Sequence, residues 1–386
     1  MQISKPKPLG GLRRAAALLL AVLLLLPAAA TAPAIAQSPE RLVLAFYYNW
    51  FDENSWGANK VPDTPAEPYV SRDRGVMGRQ IDQARSAGID ALVVNWWGPQ
   101  DNNQTETNLQ AMLDEAAARG FRLAVDVDMN SPYLRSAGAI QAAMAHLMNT
   151  HAQHGAYLRV DGKPVIFFYH QNHRLSTGGW AAIRNAVDPG RNSLWIEEGT
   201  DVSPLSLFDG HHLYSVTWAN RTDMGQTANK FARLVRGQAA ALGSPKIYVA
   251  TVMPGYDDRK TGRGGAFAVG REDGAYYARS WQAAIGATPD WIIINSFNEW
   301  PEGTYIEPSA AYGSRYLEMT AQWAAAFRGS APPPVFEPAP RPAAPPAPPK
   351  PRPTAPPPTP TPRPTFVPPP PPGREVGRWG GWVLID

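Results

Sequence analysis

Residues 74–97 read RGVMGRQIDQARSAGIDALVVNWW, and this stretch decides the fold. Residues 74–86 carry a 3.6-residue periodicity and predict a helix. Gly88 follows where a left-handed cap is needed, because glycine adopts positive φ without steric cost. The short apolar, β-branched run 91–95 predicts a buried parallel strand. It ends in Asn95-Trp96-Trp97, a polar residue and two tryptophans that could line a rim or fill the core. Helix, glycine, buried strand and polar-aromatic end form one βα repeat.

The same unit recurs from about residue 41 to 328. Candidate strands are residues 42–48, 91–95, 122–126, 165–169, 194–197, 213–216, 247–252 and 291–296. Helical stretches are 74–86, 105–119, 140–153, 179–186, 227–242, 274–285 and 314–327. Gly88, Gly120 and Gly243 stop helices just ahead of strands. Only the fifth strand lacks a helix behind it, with Val202-Ser203-Pro204-Leu205 offering a short turn. Eight strands with crossover helices predict an α/β fold, a (β/α)8 TIM barrel, rather than an open doubly wound sheet. No Gly-x-Gly-x-x-Gly follows the first strand, which argues against dinucleotide binding.

The flanks read differently. Residues 1–37 have a basic start (Lys5, Lys7, Arg13, Arg14), an apolar run at 15–26 and a small-x-small site at Ala34-Ile35-Ala36. This is the pattern of a secretory signal peptide, so a secreted or cell-surface protein is expected. Residues 38–330 form the expected catalytic domain. Between 331 and 373 there are 23 prolines in 43 residues, which predicts an extended polyproline II linker and a disordered tail. Residues 374–386 are a short terminal segment bearing Trp379 and Trp382. Contact of this tail with the cell envelope is the one partner it suggests.

Charge and cysteine content narrow the function classes. Without the leader's four basic residues the chain carries −1, and the tail from Ala331 contributes +3, leaving −4 on the central domain. Such a surface does not suit nucleic acid. There is no cysteine, so stability must come from the core, and a monomeric barrel of this size buries enough surface for that. His170, His173, His211 and His212 lack a metal-ligand spacing; neither metal nor cofactor is implied.

In a TIM barrel the chemistry gathers at the C-terminal strand ends. Read in order, the predicted ends give Tyr47-Tyr48-Asn49-Trp50, Asn95-Trp96-Trp97, Asp126-Val127-Asp128, Tyr169-His170, Glu197-Glu198, Thr217-Trp218, Pro254-Gly255-Tyr256-Asp257-Asp258 and Asn298-Glu299-Trp300-Pro301-Glu302. Rings that pack on sugar C–H faces, beside carboxylates that accept hydroxyl protons, predict a carbohydrate cleft. Glu299 and Glu302, three residues apart, supply the acid and base that glycoside cleavage needs. Gly303 lets the backbone turn behind Glu302. Spacing alone would favour a pair of solvated loop glutamates.

The run Ser296-Phe297-Asn298-Glu299-Trp300-Pro301-Glu302-Gly303-Thr304-Tyr305-Ile306-Glu307-Pro308 resembles the signature of glycoside hydrolase family 99, the endo-α-mannosidases and endo-α-mannanases. The segments at Phe46–Trp50, Gly88–Trp97, Gly162–Val165 and Pro254–Asp258 extend the resemblance over most of residues 41–328. It implies Glu299 as general base and Glu302 as general acid/base, in a retaining mechanism without an enzyme nucleophile. The base deprotonates the mannose 2-hydroxyl, which attacks C1 to give a 1,2-anhydro sugar. The resemblance further implies that Tyr256 and one of Tyr47 or Tyr48 contact the reacting sugar, and that Asp126 and Asp128 stand at an acidic substrate site. Trp96, Trp97, Asn298, Trp300 and Glu307 complete the expected substrate-binding set. Pro301 replaces the family's usual histidine, Tyr305 its usual glutamine, and aspartates its usual strand-three glutamate. The expected function is thus an endo-acting, retaining hydrolase of α-mannan-type polysaccharide or oligosaccharide. The alternatives are a hydrolase of another α-glycan such as α-1,3-glucan, and a non-catalytic carbohydrate-binding envelope protein.

Overall fold

The structure, a computed structural model, describes residues 41–219 and 223–335 together with Met1, Gln2 and Ser4. The expected leader, most of the proline-rich stretch and the terminal tryptophan segment lie outside the described residues.

Eight parallel strands form a closed ring: β1 (Val43–Tyr47), β2 (Ala91–Trp96), β3 (Arg122–Asp128), β4 (Lys163–Tyr169), β5 (Leu194–Glu198), β6 (Gly210–His212), β7 (Ile247–Val252) and β8 (Trp291–Ile294). Each pairs in parallel with its sequence neighbour, and β8 pairs with β1 through Val43↔Ile292. Seven α-helices surround the ring among the described residues: α1 (Arg74–Ser86), α2 (Gln104–Ala118), α3 (Ala137–Asn149), α4 (Thr177–Val187), α5 (Met224–Leu242), α6 (Ala275–Gly286) and α7 (Arg315–Phe327). A 3-10 turn, Ser203–Ser206, replaces the helix between β5 and β6, as the sequence predicts. The architecture is a (β/α)8 TIM barrel.

Strand alternation divides the apolar residues into two shells. Leu44, Phe46, Ala91, Val93, Ala124, Val165, Phe167, Ile196, Val249 and Ile293 fill the barrel. Val43, Ala45, Leu92, Val94, Val125, Ile166, Phe168, Ile292 and Ile294 face the helices. Helix starts follow capping chemistry: the Asp73, Ser136, Ser176 and Asp223 side chains accept first-turn N–H groups. The three predicted cap glycines have φ of 72° at Gly88, 62° at Gly120 and 60° at Gly243.

One strand lies elsewhere than the periodicity predicts. Residues 213–216 are not β6; the strand is Gly210-His211-His212, immediately before them. Its side chains are one hydrogen atom and two imidazoles, so no apolar run marks it. Glycine is required there, because a Cβ on Gly210 would stand 2.7 Å from Ile196 Cδ1 and 2.9 Å from Ile247 O. His211 is fully buried and its Nε2 lies 2.6 Å from Gly199 O.

Candidate active site

The loop after β8 carries the paired glutamates, and its shape follows from internal hydrogen bonds. Ser296 N donates to Thr304 O at 2.9 Å and Ile306 N to Ser296 O at 3.0 Å, so the segment folds back on itself. Glu299 N is held by Ser296 Oγ at 2.7 Å. Gly303 sits at φ 63°, where a Cβ would stand 3.0 Å from Asp257 N. The predicted need for glycine behind Glu302 therefore has two sources, a left-handed backbone and a close neighbour.

Glu299 and Glu302 are both buried, at 5% and 7% exposure, in unlike surroundings. Glu302 Oε1 pairs with Arg263 Nη1 at 2.5 Å, and its Oε2 accepts from Tyr214 Oη at 3.3 Å. Glu299 Oε2 has no hydrogen-bond partner among the described residues. Burial first, and then the Glu302 charge, push the Glu299 carboxyl well above the usual range, with Arg263 opposing. Tyr214 Oη also lies 2.7 Å from Tyr48 Oη, so two phenols and two carboxyls converge.

Acidic and aromatic groups line the rest of the rim. Asn95 Nδ2 donates to Asp126 Oδ2 at 3.4 Å and to Asp128 Oδ2 at 3.3 Å. Burial, and next the Asp128 charge, raise Asp126 well above the ordinary carboxylate range. Trp97 Nε1 reaches Asp128 Oδ2 at 3.3 Å. The Trp97, Trp50 and Tyr48 rings form a continuous wall, with centroids 5.3 and 4.7 Å apart. Tyr256 stacks on Phe267 at 4.7 Å, in a short hairpin where Val269 pairs with Tyr256.

Several residues expected at the substrate lie elsewhere. Tyr47 and Trp96 belong to the shell outside the barrel; Tyr47 Oη donates to Gln80 Oε1 and Trp96 Nε1 to Glu106 Oε2. Period-two alternation is the reason: Tyr48 and Trp97, one residue on, take the inward direction. Of the tyrosine pair, Tyr48 is the one on the inward face. Trp300 is fully buried beneath the loop, stacked on Tyr305 at 3.9 Å. Glu307 lies under it and accepts from Tyr69 Oη, Gln80 Nε2 and Trp300 Nε1. Asn298 clamps the Tyr48 backbone, donating to its carbonyl at 2.9 Å and accepting from its N–H at 2.7 Å. These three residues position the site without facing the cleft. Trp218 is six residues past the true end of β6, 53% exposed and packed on Phe231.

Sequence reasoning missed two groups that touch Glu302. Tyr214 fell inside a misplaced strand. Arg263 lies in a glycine-rich loop, Thr261-Gly262-Arg263-Gly264-Gly265, with no periodicity to flag it. Glu198 was foreseen only as part of a strand end; its Oε1 lies 3.4 Å from Tyr214 N. Tyr305, where the expected glutamine is absent, plays a structural part: Arg271 lies 4.2 Å over its ring, and its hydroxyl donates to Asp63 at 2.8 Å.

Comparison with known proteins agrees with this geometry. The profile of glycosyl hydrolase family 99 matches residues 53–328. The human glycoprotein endo-alpha-1,2-mannosidase-like protein is 30% identical over 295 residues, covering 67% of this chain and 63% of that relative. Glycoprotein endo-alpha-1,2-mannosidase of Xenopus laevis is 27% identical over 303 residues, 69% of this chain and 65% of that relative. The chain therefore spans just under two thirds of the length of these relatives. The solved GH99 endo-alpha-mannosidase from Bacteroides thetaiotaomicron superposes with a TM-score of 0.63 at 26% identity, over 75% of this chain and 98% of that one. With the profile running from the loop after β1 through α7, and so including the Glu299–Glu302 loop, the chain belongs to glycosyl hydrolase family 99.

Proposed function

We propose that the protein is an endo-acting, retaining hydrolase of α-mannan-type polysaccharide, with Glu299 as base and Glu302 as acid/base. The observation that carries this is the inequality of the pair. One glutamate is buried without a partner for Oε2 among the described residues, and the other is tied to a cation and a phenol. Environments that differ in this way give two carboxyls two roles. Glu299 takes the proton of the sugar 2-hydroxyl as that oxygen attacks C1, while Glu302 gives its proton to the departing glycosidic oxygen. Water then opens the 1,2-anhydro sugar at C1; Glu302 takes the water's proton and Glu299 returns its own to O2. Asp126 and Asp128 would accept hydroxyl protons, and the Trp97–Trp50 wall would stack on sugar faces.

Burial and the Glu302 charge favour the protonated form of Glu299 in the resting cleft, whereas the base must begin without its proton. We infer that substrate displaces Arg263 from Glu302 and that the proton then passes between the two carboxyls. The Arg263 contact also favours a second reading with the roles exchanged. The leader-like residues 1–37 support export, and we take the working form to be a monomeric secreted or surface enzyme.

Glu299→Gln and Glu302→Gln test the assignment on a panel of α-1,2/1,6-mannan and α-1,3-glucan with product sizing. Each variant is expected to lose at least about 10²–10⁴ in rate, the worth of general acid–base assistance. Glu302→Gln alone should recover on a substrate with a good leaving group, which needs no protonation. Recovery by Glu299→Gln instead would establish the exchanged roles. Full rate in both variants would remove the pair from catalysis, and a wild type that binds but never cleaves would be a binding protein.

A further inference from the structure

Behind the cleft wall, outside the barrel, three side chains meet that the mechanism does not use. Glu106 stands in the first turn of α2, His146 in the last turn of α3, and His151 in the 3-10 turn His151–Gln153. Their ligand atoms all lie within 4.8 Å of one another. His151 Nε2 is 3.0 Å from Glu106 Oε2, and His146 Nε2 is 3.3 Å from Glu106 Oε1. Tetrahedral zinc with bonds of about 2.0–2.1 Å keeps neighbouring ligand atoms roughly 3.3 Å apart. The two histidine–glutamate edges match such a spacing, and the histidine–histidine edge is no longer than 4.8 Å.

The surroundings also suit a metal. Trp96 Nε1 donates to Glu106 Oε2 at 2.7 Å and Gln110 Nε2 to Oε1 at 2.6 Å, which fixes the carboxylate as outer partners fix a metal ligand. A plain hydrogen-bonded cluster accounts for His151. His146 differs: its Nε2 is buried and 3.3 Å from Glu106 Oε1, yet makes no hydrogen bond among the described residues. The His146 side chain is 33% exposed, so an ion and a water ligand have a way in. The sequence implies no metal from His170, His173, His211 and His212; His146 and His151 are a different pair, five residues apart, on a helix end and the turn after it.

We propose that Glu106, His146 and His151 form a zinc-class divalent metal site, two imidazoles and one carboxylate with water as fourth ligand. The ion ties α2, α3 and the following turn together behind Trp96, the outward neighbour of the cleft residue Trp97. Imidazole with carboxylate selects zinc-like ions over magnesium or calcium, which prefer all-oxygen shells.

The test is calorimetric titration of chelator-treated full-length protein with zinc chloride, with Tm recorded beside it. One equivalent of zinc should bind and raise Tm, while magnesium chloride does neither. His146→Ala, a change at a part-exposed position, should fold and weaken zinc binding by more than about 100-fold, since even outer-shell losses cost 10–100-fold. Glu106→Gln, which keeps the carboxylate's shape, should do the same. The Glu299→Gln/Glu302→Gln double variant should bind zinc as wild type does. The proposal fails if zinc does not bind, if magnesium acts equally, if His146→Ala binds as tightly, or if the double variant loses the site.

Discussion

Tyr214 connects the two halves of the site through one oxygen, 3.3 Å from Glu302 Oε2 and 2.7 Å from Tyr48 Oη. A hydrogen bond to a charged group is worth about 1.5–3 kcal/mol, and each 1.4 kcal/mol is about tenfold in rate. Tyr214→Phe keeps the ring packed on Phe46 and Tyr169, so kcat/KM on the glycan that wild type cleaves should fall about 10–100-fold with Tm little changed. An unchanged kcat/KM would leave the phenol out of the chemistry. Glu307 gives a pH prediction. Burial lifts its carboxyl to about 7, although Gln80, Tyr69 and Trp300 all donate to it. Unfolded, it ionises near 4.5; folded, it keeps its proton longer, so the unfolded state binds fewer protons between these values. Stability should fall as pH rises from about 4.5 to 7, by at most about 3 kcal/mol from this group. Chemical denaturation of wild type and Glu307→Gln across that range checks it; equal slopes would refute it. Glu307 also shows what a motif conceals. The sequence places it in the signature, but only packing reveals that it lies beneath Trp300.

At the scale of elements, seven of the eight strands are legible because each carries a β-branched or aromatic run, whereas β6 is Gly-His-His. The same error hid Tyr214 and promoted Trp218, since one misplaced strand moves the residues that follow its end relative to the rim. Direction within strands was legible in principle. Asn95 pairs with Asp126 and Trp96 with Val127, so the residue that aligns with an acidic position faces the cleft and its apolar neighbour faces the helices. Gly210 tests the placement of β6. An added methyl would meet Ile196 Cδ1 at 2.7 Å and a backbone oxygen of β7 at 2.9 Å, and overpacking of this kind costs about 1–3 kcal/mol. Gly210→Ala should therefore lower Tm by several degrees. A neutral result in thermal unfolding would mean the β5–β6–β7 register differs from the one described.

For the whole molecule, the two ends of the barrel do different work. At the N-terminal end, Arg328 Nη2 donates to Gly88 O at 2.8 Å and pairs with Asp90, whose Oδ2 accepts from Val43 N at 2.8 Å. Arg41 Nη1 reaches Phe327 O at 2.7 Å and lies over the Phe327 ring. These contacts fasten α7 where β1 and β2 begin, and none touches the cleft. The C-terminal end instead gathers carboxyls such as Glu299 and Asp126, whose pKa burial and a neighbouring carboxylate push upward, an arrangement that costs stability and serves chemistry. Arg328→Ala should lower Tm by roughly 2–4 °C, since a part-exposed pair is worth up to about 1 kcal/mol, with kcat unchanged. Glu299→Gln should do the reverse. The raised Glu299 carboxyl contributes stability below its unfolded pKa and loses it as pH rises. Removing it should leave Tm near wild type at pH 5 and above wild type at pH 8, while activity collapses. Thermal unfolding and rate measurements on both variants at the two pH values decide the matter. If Glu299→Gln lowers Tm at pH 8, the glutamate is a structural member of the loop and the cleft does not carry the strain described.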